Sequence, residues 1–159
     1  MIKKILVAED HQGISETYKL ILEAQDYEVT MTANGEDCIK AFDTEVCQEN
    51  NDVQDVPTTK SPFDLVVLDY HMPYKDGIDV ASHILSIAPY QRILIASSYP
   101  KDVITKSAQN LHGCIELLLK PFDLQEFEDA VKHRSKLLTL GSQQRTMAHS
   151  DQCLVVETN

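Results

Sequence analysis

Five short apolar runs, Ile5–Ala8, Val29–Thr32, Leu65–Leu68, Ile93–Ala96 and Ile115–Leu119, recur along the chain with amphipathic stretches between them. Runs of this length suit strands buried on both faces, and strands alternating with helical patterns build a parallel sheet covered by helices. The intervening stretches carry the apolar spacing of helices. They are Ile14, Tyr18 and Ile21; then Cys38, Ile39, Phe42 and Val46; then Ile78, Ala81, Leu85 and Ala88, closed by Pro89. A fourth helix is predicted from Asp102 through Ile104, Ala108 and Leu111 to Gly113. A fifth opens with Asp123 and Glu126 at capping-box spacing before Phe127, Ala130 and Val131. The fold class is therefore α/β, with five parallel strands and five helices.

A chain of 159 residues is long enough for one such core and not for two. Residues 1–139 form the predicted domain, and no attached output domain is expected. Two stretches fall outside the rhythm. Residues 44–62, rich in Asn, Asp, Thr and Pro, read as an unusually long loop, although the preceding helix can absorb Val46 and Cys47. Residues 140–159, polar apart from Cys153–Val156, read as a C-terminal tail, too short for a domain but able to dock as one strand.

Composition narrows the partners. A formal net charge of -11 repels nucleic acid and anionic membranes, which leaves proteins and cations. No run approaches the length of a membrane span and none near the N-terminus suits a signal peptide, so a cytoplasmic location is expected. Cys38, Cys47, Cys114 and Cys153 lack zinc-ligand spacing and are read as reduced thiols.

The chemistry follows from what stands where each run stops: Glu9 and Asp10 after the first, Asp69 after the third, Ser97 and Ser98 after the fourth, Lys120 after the fifth. In a parallel sheet the carboxyl ends of the strands share one edge, so these groups should converge. Two like charges 4 Å apart repel by about 4 kcal/mol at an effective dielectric near 20, and three carboxylates therefore require positive charge among them. An all-oxygen set that leaves room for water and phosphate oxygens suits Mg²⁺, and Lys120 supplies a fixed second cation. In such a setting Asp69 is suited to attack a phosphoryl group, with the Ser97 hydroxyl and Lys120 each reaching a phosphoryl oxygen.

Each residue also has a plainer use. Asp69 alone could end a strand and cap the next segment, and Ser97 alone could be a satisfied strand-end hydroxyl. Their joint placement favours the site. Ser98 is read as merely small, Asp76 as the cap of the following helix, and Gly77 and Pro73 as shaping the loop. His11 and His71 lie near the crevice without metal-ligand spacing to one another.

Asp69, Met72, Pro73, Asp76 and Gly77 reproduce without a gap the D-x-x-M-P-x-x-D-G segment of CheY-like receiver domains, which the sequence resembles over about residues 3–138. Glu9 with Asp10, Ser97, Gly113 and the pair Lys120 and Pro121 extend the resemblance. It implies a flavodoxin-like, doubly wound sheet of strand order 2-1-3-4-5. It also implies Asp69 as phospho-acceptor, Asp10 as direct Mg²⁺ ligand, Glu9 as ligand through water, the His71 backbone carbonyl as a further ligand, and Ser97 and Lys120 as phosphoryl contacts. The bond between Lys120 and Pro121 is expected to be cis.

A response regulator of this kind takes its phosphoryl group from a sensor histidine kinase or a phosphotransfer protein, catalyses nothing beyond its own phosphoryl transfer and dephosphorylation, and acts by contact on a downstream protein. Two departures stand out. Leu117 occupies the position of an aromatic residue that commonly swings inward on phosphorylation. His71 and Tyr99 hold positions that modulate phosphoryl lifetime. A second reading is a pseudo-receiver, an interaction scaffold that is never phosphorylated. A flavin carrier needs donors where Glu9 and Asp10 stand, and a phosphatase needs a second aspartate where His71 stands, so neither is favoured.

Overall fold

The computed structural model describes residues 3–51, 61–132 and 154–157. Strands β1 (Lys4–Ala8), β2 (Glu28–Thr32), β3 (Leu65–Asp69), β4 (Ile93–Ser97) and β5 (Cys114–Leu119) alternate with helices α1 (Gln12–Glu23), α2 (Gly35–Asn51), α3 (Gly77–Ile87), α4 (Lys101–Ser107) and α5 (Leu124–Lys132). The strands pair in parallel in the order β2-β1-β3-β4-β5, as the resemblance implies.

Side-chain alternation along the strands divides the core in two. Leu6 and Ala8, Val66 and Leu68, Ile93 and Ile95, and Ile115 and Leu117 face Cys38 and Phe42 of α2, Val80, Ala81, Ile84 and Leu85 of α3, and Ile104 of α4. The intervening Ile5, Val7, Leu65, Val67, Leu94 and Leu118 meet Tyr18 and Leu22 of α1 and Phe127, Ala130 and Val131 of α5. The rings of Tyr18 and Phe127 stack with centroids 4.3 Å apart across the α1–α5 contact. Burial on both faces is why these strands read as unbroken apolar runs. β2, at the sheet edge, is only partly buried, so two-sided burial holds for the inner strands and not for this one.

Helix entries follow local chemistry. Asp76 caps α3, its carboxylate accepting from the Asp79 amide at 2.8 Å. Asp123 and Glu126 form the predicted reciprocal box at α5, both contacts 2.8 Å. The α4 prediction ran too far: the helix ends at Ser107, and Leu111 packs on the core from the turn that follows.

The two irregular stretches are changed by the structure. Helix α2 continues to Asn51, so residues 44–51 belong to it and not to a loop. Val46 packs against the core and Thr44 returns its hydroxyl to the Lys40 carbonyl at 2.7 Å, which extends the apolar stripe by a turn. The rest of the predicted loop up to residue 60 lies outside the described residues. In the predicted tail, β6 (Leu154–Glu157) adds a sixth parallel strand beside β5, Cys114 opposite Leu154 and Leu117 opposite Glu157. A β-prone segment next to an open strand edge satisfies that edge's backbone groups.

One buried ion pair had no sequence signal. Arg92, at the start of β4, grips Glu116 of β5 with Nε and Nη2 at 2.7 and 2.8 Å, and the side chains are only 11% and 2% exposed. The same guanidinium donates to the Val131 and Ala130 carbonyls at 2.8 and 2.6 Å. It thereby satisfies the end of α5, where a cation is favoured by the helix dipole.

Candidate functional site at the carboxyl edge of the sheet

The polar residues that end the strands do meet. Glu9 and Asp10 leave β1, Asp69 closes β3, and one carboxylate oxygen from each lies within 4.8 Å of the others. Parallel pairing of β1 with β3 sets this up, because Ala8 stands opposite Leu68 and the next residues of both strands emerge together. Lys120, directly after β5, extends back across the edge. Its Nζ is 3.0 Å from Asp69 Oδ1 and 3.5 Å from Glu9 Oε2. The bond between Lys120 and Pro121 is cis, as expected.

Burial differs within the trio. Glu9 is 2% exposed, Asp69 is partly buried, and Asp10 is exposed. Burial is the main reason both Glu9 and Asp69 hold their protons above the ordinary carboxylate range. For Glu9 the amide of His11, 3.0 Å from Oε1, acts in the opposite direction, while the charge of Asp69 adds to the rise. For Asp69 the bond and charge of Lys120 oppose the rise and Asp10 adds to it. Negative charge thus exceeds what one lysine neutralises, and the donors are all hard oxygens, a set suited to Mg²⁺. Glu9, Asp10 and Asp69 are placed to hold such an ion.

The loop after β3 is folded tightly onto the site. The Gly77 amide donates to the Tyr70 carbonyl at 2.9 Å, and a β-carbon on Gly77 would stand 2.7 Å from the Asp69 carbonyl oxygen. Only glycine permits that approach. His71 lies exposed in this loop.

Ser97 is buried at the end of β4, and its Oγ accepts the Tyr99 amide at 2.9 Å. The Lys120 amide donates to the Ser97 carbonyl at 2.7 Å, which locks the serine to the strand that carries the lysine. Tyr99 is 45% exposed and sets its ring edge-on against Tyr70, centroids 5.2 Å apart. Leu117 is fully buried in the core opposite Ile95.

Glu9, Asp10, Asp69 and Lys120 meet, as their places at the strand ends predict. Tyr70 is an addition to that set. The available signal was position: Tyr70 and Tyr99 follow the ends of β3 and β4, which are neighbouring strands, so the two rings leave the sheet side by side.

The fold is doubly wound α/β, and its carboxylate trio and lysine stand on the carboxyl edge of the sheet, the edge where such folds bind ligands. A family model described as the response regulator receiver domain matches residues 5–132. The chain belongs to that family.

It is 30% identical over 132 residues to the sporulation initiation phosphotransferase F of Bacillus subtilis, covering 83% of this chain and 93% of the relative. It is 29% identical to the transcriptional regulatory protein CrdR of Helicobacter pylori, of which it spans 54%. Among solved structures, the response regulator TrrA of Thermotoga maritima in complex with Mg(2+)-BeF aligns with TM-score 0.61 and 26% identity, over 82% of this chain and 97% of that one. A CheY-like receiver domain protein of Methanospirillum hungatei shares the fold, with TM-score 0.63 and 19% identity over 83% of this chain and 92% of its own.

Proposed function

We propose that Asp69 accepts a phosphoryl group from a phosphohistidine of a sensor kinase or phosphotransfer protein, and that the acyl phosphate changes a surface read by a downstream protein. The observation that carries this is the contact of Lys120 with Asp69 inside a carboxylate trio. An Asp69 oxygen forms the new bond to phosphorus as the bond from phosphorus to the imidazole nitrogen breaks, and the leaving imidazole takes a proton from solvent. Asp10, Asp69 and the His71 carbonyl would hold Mg²⁺ directly and Glu9 through water, and the ion would supply charge neutralisation at the transferring oxygens. Lys120 pairs with a phosphoryl oxygen and the Ser97 hydroxyl donates to another. The chain acts on no other substrate, and it meets its kinase in the cytoplasm. Among the described residues no helix is long and apolar enough to cross a membrane.

The likeness to a named phosphotransferase supports a phosphorelay role. The test is incubation with acetyl phosphate and Mg²⁺ followed by intact-mass measurement. One phosphoryl group is expected on the wild type and none on Asp69→Asn or without Mg²⁺. Absence of incorporation in the wild type would transfer the reading to a phosphorylation-independent scaffold.

A further inference from the structure

Tyr70 and Tyr99 belong to the two loops that a phosphoryl group on Asp69 would touch. Tyr70 directly follows Asp69, and its backbone is fixed on both sides: its amide donates to the Ala96 carbonyl at 2.8 Å and its carbonyl accepts from Gly77 at 2.9 Å. Tyr99 is held differently, by its amide on Ser97 Oγ and by its ring on Tyr70. One side of the aromatic contact is therefore anchored to the sheet and the other depends on the Ser97 hydroxyl.

Resting on the reading of Asp69 as phospho-acceptor, we infer that the contact of Tyr99 with Tyr70 is a latch that holds the β4–α4 loop in its unphosphorylated arrangement and opens when Ser97 reaches the phosphoryl group. Oγ moving toward Asp69 either leaves the Tyr99 amide or draws that backbone with it. In both cases the ring leaves its place against the fixed Tyr70. A contact made in only one of two states biases the equilibrium toward that state by its own free energy. Leu117 is aliphatic and packed into the core, so the aromatic group that responds to the site in this chain is Tyr99, outside the sheet. Tyr99 is a positioning residue acting through Ser97.

Beryllofluoride with saturating Mg²⁺, titrated calorimetrically, is the probe. Removing a latch that opposes the phosphorylated arrangement tightens binding. Tyr99→Leu and Tyr70→Leu are each expected to lower the dissociation constant by about 2- to 10-fold, the size of an aromatic pair contribution. The double variant should gain no more than either single one, because both remove the same contact. Tyr99→Phe, which keeps the ring, should bind as the wild type does. A loss of fold stability alone would not tighten binding. Unchanged or weakened affinity in the leucine variants, with wild-type binding that still requires Asp69, overturns the latch and leaves the phospho-acceptor reading standing. Failure of the wild type to bind the probe overturns both.

Discussion

Lys120 Nζ stands 3.0 Å from Asp69 Oδ1, although 51 residues separate the two in sequence. The ammonium also reaches Glu9, at 3.5 Å, in a trio whose other members are this buried Glu9 and the exposed Asp10. Without a divalent ion the site therefore carries excess negative charge in a partly desolvated setting, and measurable consequences follow for stability, for chemistry and for the loop that holds Asp69.

In chelator-treated protein, Asp69→Asn should stabilise the fold by on the order of 1 kcal/mol near neutral pH. The folded state holds the protons of Glu9 and Asp69 more tightly than the unfolded chain does. The contribution of these groups thus favours folding below the ordinary carboxylate range and is lost as pH rises through their raised values. The gap between variant and wild type should open across that interval and close in acid, as read by urea unfolding at a series of pH values. A pH-independent gap would contradict the electrostatic cause.

Lys120→Met should slow phosphoryl incorporation from acetyl phosphate by roughly 10- to 100-fold, the effect of losing a hydrogen bond to a charged group. Lys120→Arg should recover little, since a planar fork does not replace a compact ammonium between Asp69 and Glu9. Full activity in Lys120→Met would remove the lysine from the chemistry.

Gly77→Ala should cost about 1–3 kcal/mol, as overpacking does, because the added methyl meets backbone atoms of Asp69 and Tyr70 that cannot rotate aside. The same shift should weaken Mg²⁺ binding, seen as a smaller rise in Tm on adding the ion. A variant with unaltered urea midpoint and Mg²⁺ response would show that the loop tolerates the methyl.

Arg92→Met should cost about 3–5 kcal/mol, since it leaves Glu116 buried and unpaired. The double variant Arg92→Met/Glu116→Leu should recover part of that loss, because both charges are then gone. Denaturant unfolding of the three proteins decides it. A double variant no more stable than Arg92→Met would assign the cost to the lost bonds to Ala130 and Val131.

The alternation of apolar runs with helical stripes determined the β-α order, and residues standing at strand ends determined where the acids and the lysine would gather. Caps such as Asp76 and the Asp123 and Glu126 box were also legible, because they are local hydrogen bonds written at fixed spacing. Such features depend only on neighbours in the chain. Tertiary structure alone decided the continuation of α2 beyond Cys47 to Asn51, the docking of β6 on β5, the grip of Arg92 on Glu116 and on the end of α5, and the meeting of Tyr70 with Tyr99. Each of these joins segments through strand register and helix placement, and no periodicity within one segment carries information about which side chain of another will stand opposite it.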